Sequence, residues 1–216
     1  MLGRDFNDTD SQTMGTIKFG TSGWRGLIAR DFTFDNVRLA TQGIADYLKA
    51  ELADARTPVH GRKPVLILGH DTRFLGRELS LAAAEVLASN GLIPLLCNRD
   101  APTPVIAHAI RVRKAIGGIN MTASHNPAEY QGLKFSTHNG APATPEVTKQ
   151  IETNIAARIA QSWSFKAMVV GTFECKMFDP QPAYFKQLRK LIDFTAIKKA
   201  RLKVAVKSIS LRSCLK

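Results

Sequence analysis

From Thr33 to Ile159 the chain switches repeatedly between helical periodicity and short unbroken apolar runs, and this alternation constrains its fold more than any other feature. Val37, Ala40, Ile44, Ala45 and Leu48 recur at helical spacing after a start signal at Thr33 and Asp35, which predicts a helix reaching about Leu52. Val65 to Leu68 then reads as a buried strand. Leu79, Ala83, Val86 and Leu87 mark a second helix stopped by Asn90-Gly91, and Leu92 to Cys97 is a second apolar strand. Pro104 suits the first turn of a short helix reaching Val112, after which Ala115 to Met121 returns as a strand ending at Ser124. Gly132 to Ser136 predicts a further strand before a turn at Asn139-Gly140. Thr144-Pro145-Glu146 opens another helix, with a cap, a proline and an acid near the positive end, and Val147, Ile151, Ile155 and Ile159 form its apolar face. Such alternation implies an α/β fold, a three-layer α/β/α arrangement on a mainly parallel mixed sheet. Ligands of such sheets gather beyond the carboxyl ends of the strands.

That position is where Thr122-Ala123-Ser124-His125-Asn126-Pro127 falls, a serine in a proline-punctuated turn directly after an apolar strand. A serine hydroxyl is a weak nucleophile and a good ester-former, so it serves as a phosphoryl carrier where cations and backbone donors surround it. Candidates for those groups are close in sequence. His125 follows directly, Lys134 lies in Tyr130-Gln131-Gly132-Leu133-Lys134-Phe135, and Phe19-Gly20-Thr21-Ser22-Gly23-Trp24-Arg25-Gly26 offers amides, hydroxyls and an arginine. Each signal alone is weak, because Gly-Thr-Ser-Gly is more often a turn than a phosphate cradle. The Asp71-Thr72-Arg73 stretch reads best as a salt-bridged turn bracing the loops, and Trp24 as a packing anchor. His60 and His138 are expected in polar loops without partners, and His108 on the short helix reads as a core or surface residue.

Taken in order, with Gly69-His70-Asp71-Thr72-Arg73 and Ala101-Pro102-Thr103-Pro104-Val105 between them, these segments resemble the amino-terminal part of the α-D-phosphohexomutases, the superfamily of phosphoglucomutase and phosphomannomutase. The resemblance runs from about Thr16 to about Val206, and Thr-Ala-Ser-His-Asn-Pro is its most specific element. It implies an isomerase of carbohydrate metabolism that moves a phosphoryl group reversibly between the 1- and 6-positions of glucose or mannose phosphate. Ser124 would be the phosphoserine, Arg25 would hold the phosphoryl oxygens, and His125 and Lys134 would neutralise charge and move the sugar hydroxyl proton. Gly20, Thr21, Ser22, Gly23 and Arg25 would bind phosphate. Mg2+ is implied as cofactor, held through the phosphate on Ser124, with glucose 1,6-bisphosphate as activator. Gln131 departs from the asparagine common in the family's Tyr-Asn-Gly-(apolar)-Lys pattern.

Charge distribution argues against a nucleic-acid partner. Between Lys186 and Lys216 ten basic residues face one acid, so nine of the formal charge of +12 lie there and the rest of the chain carries only +3. That builds no extended groove for a phosphate backbone, and no stacking aromatics alternate with the terminal cations. The bland reading of that stretch is a solvated helix face followed by an irregular tail. No apolar run approaches bilayer-spanning length and no signal peptide opens the chain, so a cytoplasmic location without membrane contact is expected. Cys97, Cys175 and Cys214 are odd in number and lack metal-ligand spacing, which makes them reduced thiols.

The domain organisation follows from the same resemblance. Residues 1–13 read as a disordered extension, 14–192 as the phosphoserine domain, and 193–216 as the start of a second domain with an out-of-family tail, in which Arg201 to Val206 alternates like a first strand. Family members are more than twice as long and carry later Asp-Gly-Asp metal and phosphate-clamping loops that do not occur here. The chain is therefore expected to be an incomplete fragment with little activity alone. The alternative is a non-catalytic phosphosugar-binding or interaction domain derived from the same fold.

Overall fold

The first long helix, α1 (Phe34–Ala53), begins where its sequence requires: the Thr33 hydroxyl accepts a hydrogen bond from Asn36 N at 3.2 Å, and Asp35 sits in the positive first turn. The computed structural model describes residues 17–20, 23–165 and 175–205. Around α1 are arranged β1 (Trp24–Leu27), β2 (Val65–His70), α2 (Gly76–Ser89), β3 (Ile93–Cys97), α3 (Thr103–Val112), β4 (Gly117–Met121), β5 (Tyr130–Thr137), α4 (Pro145–Ala160), β6 (Lys176–Phe178), α5 (Gln181–Leu191) and α6 (Phe194–Lys199).

The strands form one mixed sheet in the order β1-β5-β4-β2-β3-β6. β4, β2, β3 and β6 run parallel, while β5 is antiparallel to β4 and β1 antiparallel to β5. Side chains alternate across it as a pleated strand demands. Leu66, Leu68 and Leu96 enter the larger core, with Val37, Ile44 and Leu48 of α1, Leu79 and Leu87 of α2, and Ile151 and Ile155 of α4. Ile67 and Cys97 point the other way, into a smaller core with Val105, Ile106 and Ile110 of α3. Truncating a side chain such as Ile67 or Leu68 to alanine costs about 2–5 kcal/mol by cavity formation. α3 lies close against the sheet because β4 offers no side chain there: a Cβ on Gly118 would stand 2.7 Å from Ile110 Cδ1. A polar network ties the helices over the larger core. Gln42 and Asn90 exchange amide hydrogen bonds of 3.1 and 2.8 Å, and Arg158 donates twice to Asp46, at 2.8 and 2.7 Å.

The expected α/β/α class and mixed sheet are present, with differences at the margins. The Gly-rich segment read as a loop contains β1, because Trp24 is buried and stacks on Phe32 at 4.3 Å, and because residues 24–27 pair with residues 130–133. Thr144 does precede α4, yet its hydroxyl makes no capping bond, and Ile159 is 45% exposed, so the buried face ends at Ile155. Of the strand expected at Arg201 to Val206, residues 202–205 are irregular and exposed, and among the described residues no strand pairs with them. Val206, the tail after it and the amino-terminal extension lie outside the described residues. The boundary expected at 192 falls between α5 and α6, in a stretch where every residue from Leu191 to Ala205 is exposed.

Cys97 and Cys175 are free. Burial pushes the Cys97 thiol up to about 12 and also raises Cys175, so neither is a reactive thiolate at neutral pH. Cys214 lies outside the described residues. No helix among the described residues is long and apolar enough to cross a membrane.

Candidate functional site

Pairing brings the carboxyl ends of β2 and β4 together, since His70 stands beside Met121 in register and Asp71 N donates to Met121 O at 3.0 Å. The chain leaving β4 is tied down at once. Thr122 N donates to Gly132 O at 2.8 Å, and Ala123 is buried. Ser124 then turns outward with φ +57°, a left-handed conformation uncommon for a residue with a Cβ. The Thr122 hydroxyl accepts the Ser124 N–H at 3.1 Å, and Asn126 N donates to Ala123 O at 3.1 Å, which closes a tight turn and leaves Ser124 exposed. His125, also exposed, places Nδ1 3.5 Å from Ser124 Oγ, at the outer limit of a hydrogen bond.

Arg73 holds this turn from beneath. One guanidinium nitrogen donates to Pro127 O at 2.8 Å and Tyr130 O at 3.0 Å, and the other donates to Ser124 O at 3.0 Å and to Asn126 O. Asp71 positions the arginine: its carboxylate accepts the Arg73 N–H at 2.9 Å and lies 3.6 Å from Nε, with the Arg73 side chain only 11% exposed. Charge-assisted bonds from a planar fork are strong and directional, so four carbonyls on one guanidinium fix the backbone that carries the serine. The Asp71–Arg73 stretch is thus the bracing turn its sequence suggested. Gln131 adds to it: the buried amide donates to Phe74 O at 3.0 Å and accepts from Gly132 N, a span across the site that uses its longer side chain.

Arg25 reaches the loop from β1, donating from Nη1 to Asn126 Oδ1 at 2.6 Å. Lys134, on β5, is half-buried; burial first, and the neighbouring Arg25 charge second, push its pKa below the usual lysine value. Gly23 (φ +99°) makes room for it, because a Cβ there would come within 2.4 Å of Leu133 O and 2.9 Å of Lys134 Cγ. Gly20 and Gly23 exchange two backbone hydrogen bonds of 3.2 Å, and with Lys134, Thr103, Ser136 and Thr148 they border a cleft of about 70 Å3. Thr21 and Ser22 lie outside the described residues. Opposite Lys134 in register is Asn120, buried, with its amide donating to Thr103 Oγ1 at 3.1 Å and its carbonyl oxygen unpartnered among the described residues.

Ser124, His125, Arg25, Lys134, Gly20 and Gly23, all candidates from the sequence, lie toward the carboxyl end of β4. Asn126 and Thr122 were quoted in the serine motif without a role; the polar side chains flanking the serine were the available signal. His108 lies elsewhere, edge-on to Tyr184, and His60, expected to have no partner, bonds Leu52 O at 3.0 Å because its loop folds back on the end of α1. The arrangement suits a bound dianion: an exposed hydroxyl with two cations, Arg25 and Lys134, on neighbouring strands. It does not suit the implied Mg2+. Among the described residues no three His, Cys, Asp or Glu side chains group as a metal site, and the groups nearest Ser124 are a histidine and cations.

Comparison with known proteins gives a consistent result. Residues 16–162 match the family model described as phosphoglucomutase/phosphomannomutase, alpha/beta/alpha domain I. A phosphoglucomutase of Staphylococcus saprophyticus is 32% identical over 163 residues, covering 71% of this chain and 28% of that protein. One from Komagataeibacter xylinus is 31% identical over 206 residues, covering 88% and 35%. Among solved structures, a putative phosphomannomutase from Thermus thermophilus superposes with a TM-score of 0.72 at 33% identity, over 85% of this chain and 38% of that one. The open form of the Paramecium phosphoglucomutase parafusin gives 0.69 at 26% identity, over 85% and 36%. The chain thus spans between 28% and 38% of the length of these relatives.

Proposed function

The chain belongs to the phosphoglucomutase/phosphomannomutase family through its α/β/α domain I, and from that premise we propose that it is the phosphoserine-bearing part of a phosphohexomutase acting on glucose phosphate, with mannose phosphate as a second substrate. The observation that carries this reading is Ser124 itself, exposed on left-handed backbone at the carboxyl ends of β2 and β4, clamped by Arg73 and flanked by Arg25.

Glucose 1,6-bisphosphate primes the enzyme by transferring one phosphoryl group to Ser124 Oγ. The phosphoserine then meets a hexose monophosphate: the sugar's free hydroxyl oxygen bonds to phosphorus, the bond from phosphorus to Ser124 Oγ breaks, and the hydroxyl proton leaves to a nearby base. The product is a hexose 1,6-bisphosphate. After it turns over, Ser124 Oγ accepts the other phosphoryl group and the isomeric monophosphate departs. Such transfers ask the protein for position and charge rather than covalent chemistry. Arg25 and the Asn126 it holds steady the transferring oxygens. His125, nearest to Oγ, and Lys134, whose lowered pKa eases loss of its proton, are the groups that move the hydroxyl proton.

The test is a coupled assay of glucose 1-phosphate to glucose 6-phosphate conversion in an enzyme carrying this chain together with the remaining length of its relatives. Turnover that disappears in Ser124→Ala supports the mutase. Hexose phosphate binding without turnover, equally tight in Ser124→Ala, supports instead the non-catalytic phosphosugar-binding domain.

A further inference from the structure

At the opposite end of the sheet lies a second cationic site, built from three separate loops. β2 and β4 start side by side, with Leu66 paired to Gly117 and Ile116 N donating to Val65 O at 2.9 Å, and β5 ends next to them, with Thr137 paired to Gly117. This register brings the residues before β2, those after α3 and those after β5 to one edge. They enclose an open cleft of about 770 Å3 lined by Arg62, Lys63, Arg111, Arg113, Lys114 and His138, with no acidic side chain in its wall. The length of β4 separates it from the Ser124 turn, roughly 16 Å at about 3.3 Å per residue.

The arginines of this cleft differ from six others in the fold. Arg30, Arg38, Arg56, Arg73, Arg99 and Arg158 each pair with a carboxylate. Among the described residues none of the five permanent cations of the cleft forms an ion pair, although their loops converge and their charges repel. The arrangement is partly fixed in advance. The Arg113 guanidinium stacks 4.1 Å from the Phe178 ring centroid, and backbone bonds from Arg113 N to Ala109 O and Lys114 N to Arg111 O set the turn that follows α3.

We infer that this cleft binds a compact anion bearing two or more phosphoryl groups, at a site separate from the Ser124 loop. Five cations exceed what a single phosphate neutralises, and the volume falls in the range of about 300–1,000 Å3 typical of small-molecule sites. The concave, localised shape and the absence of any Phe, Tyr or Trp from the wall separate it from a track for single-stranded nucleic acid. Three separate loops meet here, so the ligand couples the start of the sheet to the end of α3.

Nuclear magnetic resonance titration of the 15N-labelled chain with pyrophosphate and tripolyphosphate, against orthophosphate, tests this directly. Expected are shifts of the amides in residues 62–65, 111–114 and 138–139, tighter binding as phosphoryl groups are added, and weakening of at least about tenfold in the double variant Arg111→Gln/Lys114→Gln, since each lost charge-assisted contact removes a strong bond. Arg25→Ala leaves binding at the cleft unchanged. Absence of binding, shifts confined to residues 20–25 and 122–134, or unaltered affinity in the double variant overturns the site. None of these results bears on whether Ser124 carries phosphate, so the two readings fail separately.

Discussion

The two ends of the sheet both collect cations, and they use them in opposite ways. At the carboxyl end Arg73 is nearly buried and bonds four backbone carbonyls of the serine turn, while Arg25 holds Asn126. At the amino end Arg62, Arg111 and Lys114 stay exposed and have no carboxylate partners among the described residues. The same residue type thus serves as scaffold in one place and as a free field of charge in the other. Removing the clamping Arg73 should disturb backbone order at the first end, whereas removing Arg111 or Lys114 should change only ligand affinity at the second.

The largest effect expected is at Ser124 itself. In the longer enzyme Ser124→Ala should lower kcat at least about ten-thousand-fold, because removing a nucleophile eliminates the covalent route altogether; calorimetry should show an unchanged fold. A smaller loss would mean that the turn positions substrate without carrying phosphate. Arg25→Ala and Lys134→Ala should follow at roughly a hundredfold each, since a charge-assisted contact to the transferring phosphoryl is worth several kcal/mol and each ~1.4 kcal/mol is tenfold in rate. Their melting temperatures should change little. Equal loss of activity and stability would make these residues structural and erase the contrast between the clamping arginine and its neighbours.

Arg73→Lys sharpens the comparison most cleanly, because lysine keeps the charge and loses the fork. It should destabilise the chain by about 1–3 kcal/mol, from four carbonyls that lose their charged donor, and speed hydrogen exchange at residues 124–130. Arg111→Lys should stay within about 0.5 kcal/mol of the parent and leave exchange unchanged. Matching behaviour of the two variants would contradict the division of roles.

The smallest effect concerns pH. Lys134 is held below the usual lysine value of 10.5, by burial and then by Arg25, so the unfolded chain holds that proton more tightly than the folded one. Stability should therefore rise with pH between the lowered folded value and 10.5, and the penalty on the charged form is present in full below that window. Lys134→Met should be the more stable form at neutral pH in denaturant melts, an advantage that fades as pH rises through that window and is gone above 10.5. A constant difference across the range would show that Lys134 carries no burial penalty.

Much of this was legible in the sequence wherever one side-chain period dominated a segment. α1, α2, β2 and β4 lie where helical spacing or unbroken apolar runs placed them. β1 was not legible, because glycines at 20, 23 and 26 read as a loop and its strand character comes from pairing with distant β5 and from Trp24 packing on Phe32. β6 has three residues and only β3 as a partner, which leaves too short a pattern to detect. At the site, Ser124, Arg25 and Lys134 could be nominated by type. The convergence of Arg73 on four carbonyls could not, since it joins residues more than fifty positions apart. The basic cleft was invisible for the same reason: Arg62, Arg111 and His138 become neighbours only through strand register.

The central claim is that Ser124 carries the phosphoryl group, and its most direct test is chemical. The longer enzyme is incubated with glucose 1,6-bisphosphate, quenched, digested and mapped by peptide mass. One phosphoryl group on the peptide containing Ser124, absent from Ser124→Ala and discharged on adding glucose 1-phosphate, is the predicted result. Phosphate on any other residue, or the same labelling in Ser124→Ala, would contradict it.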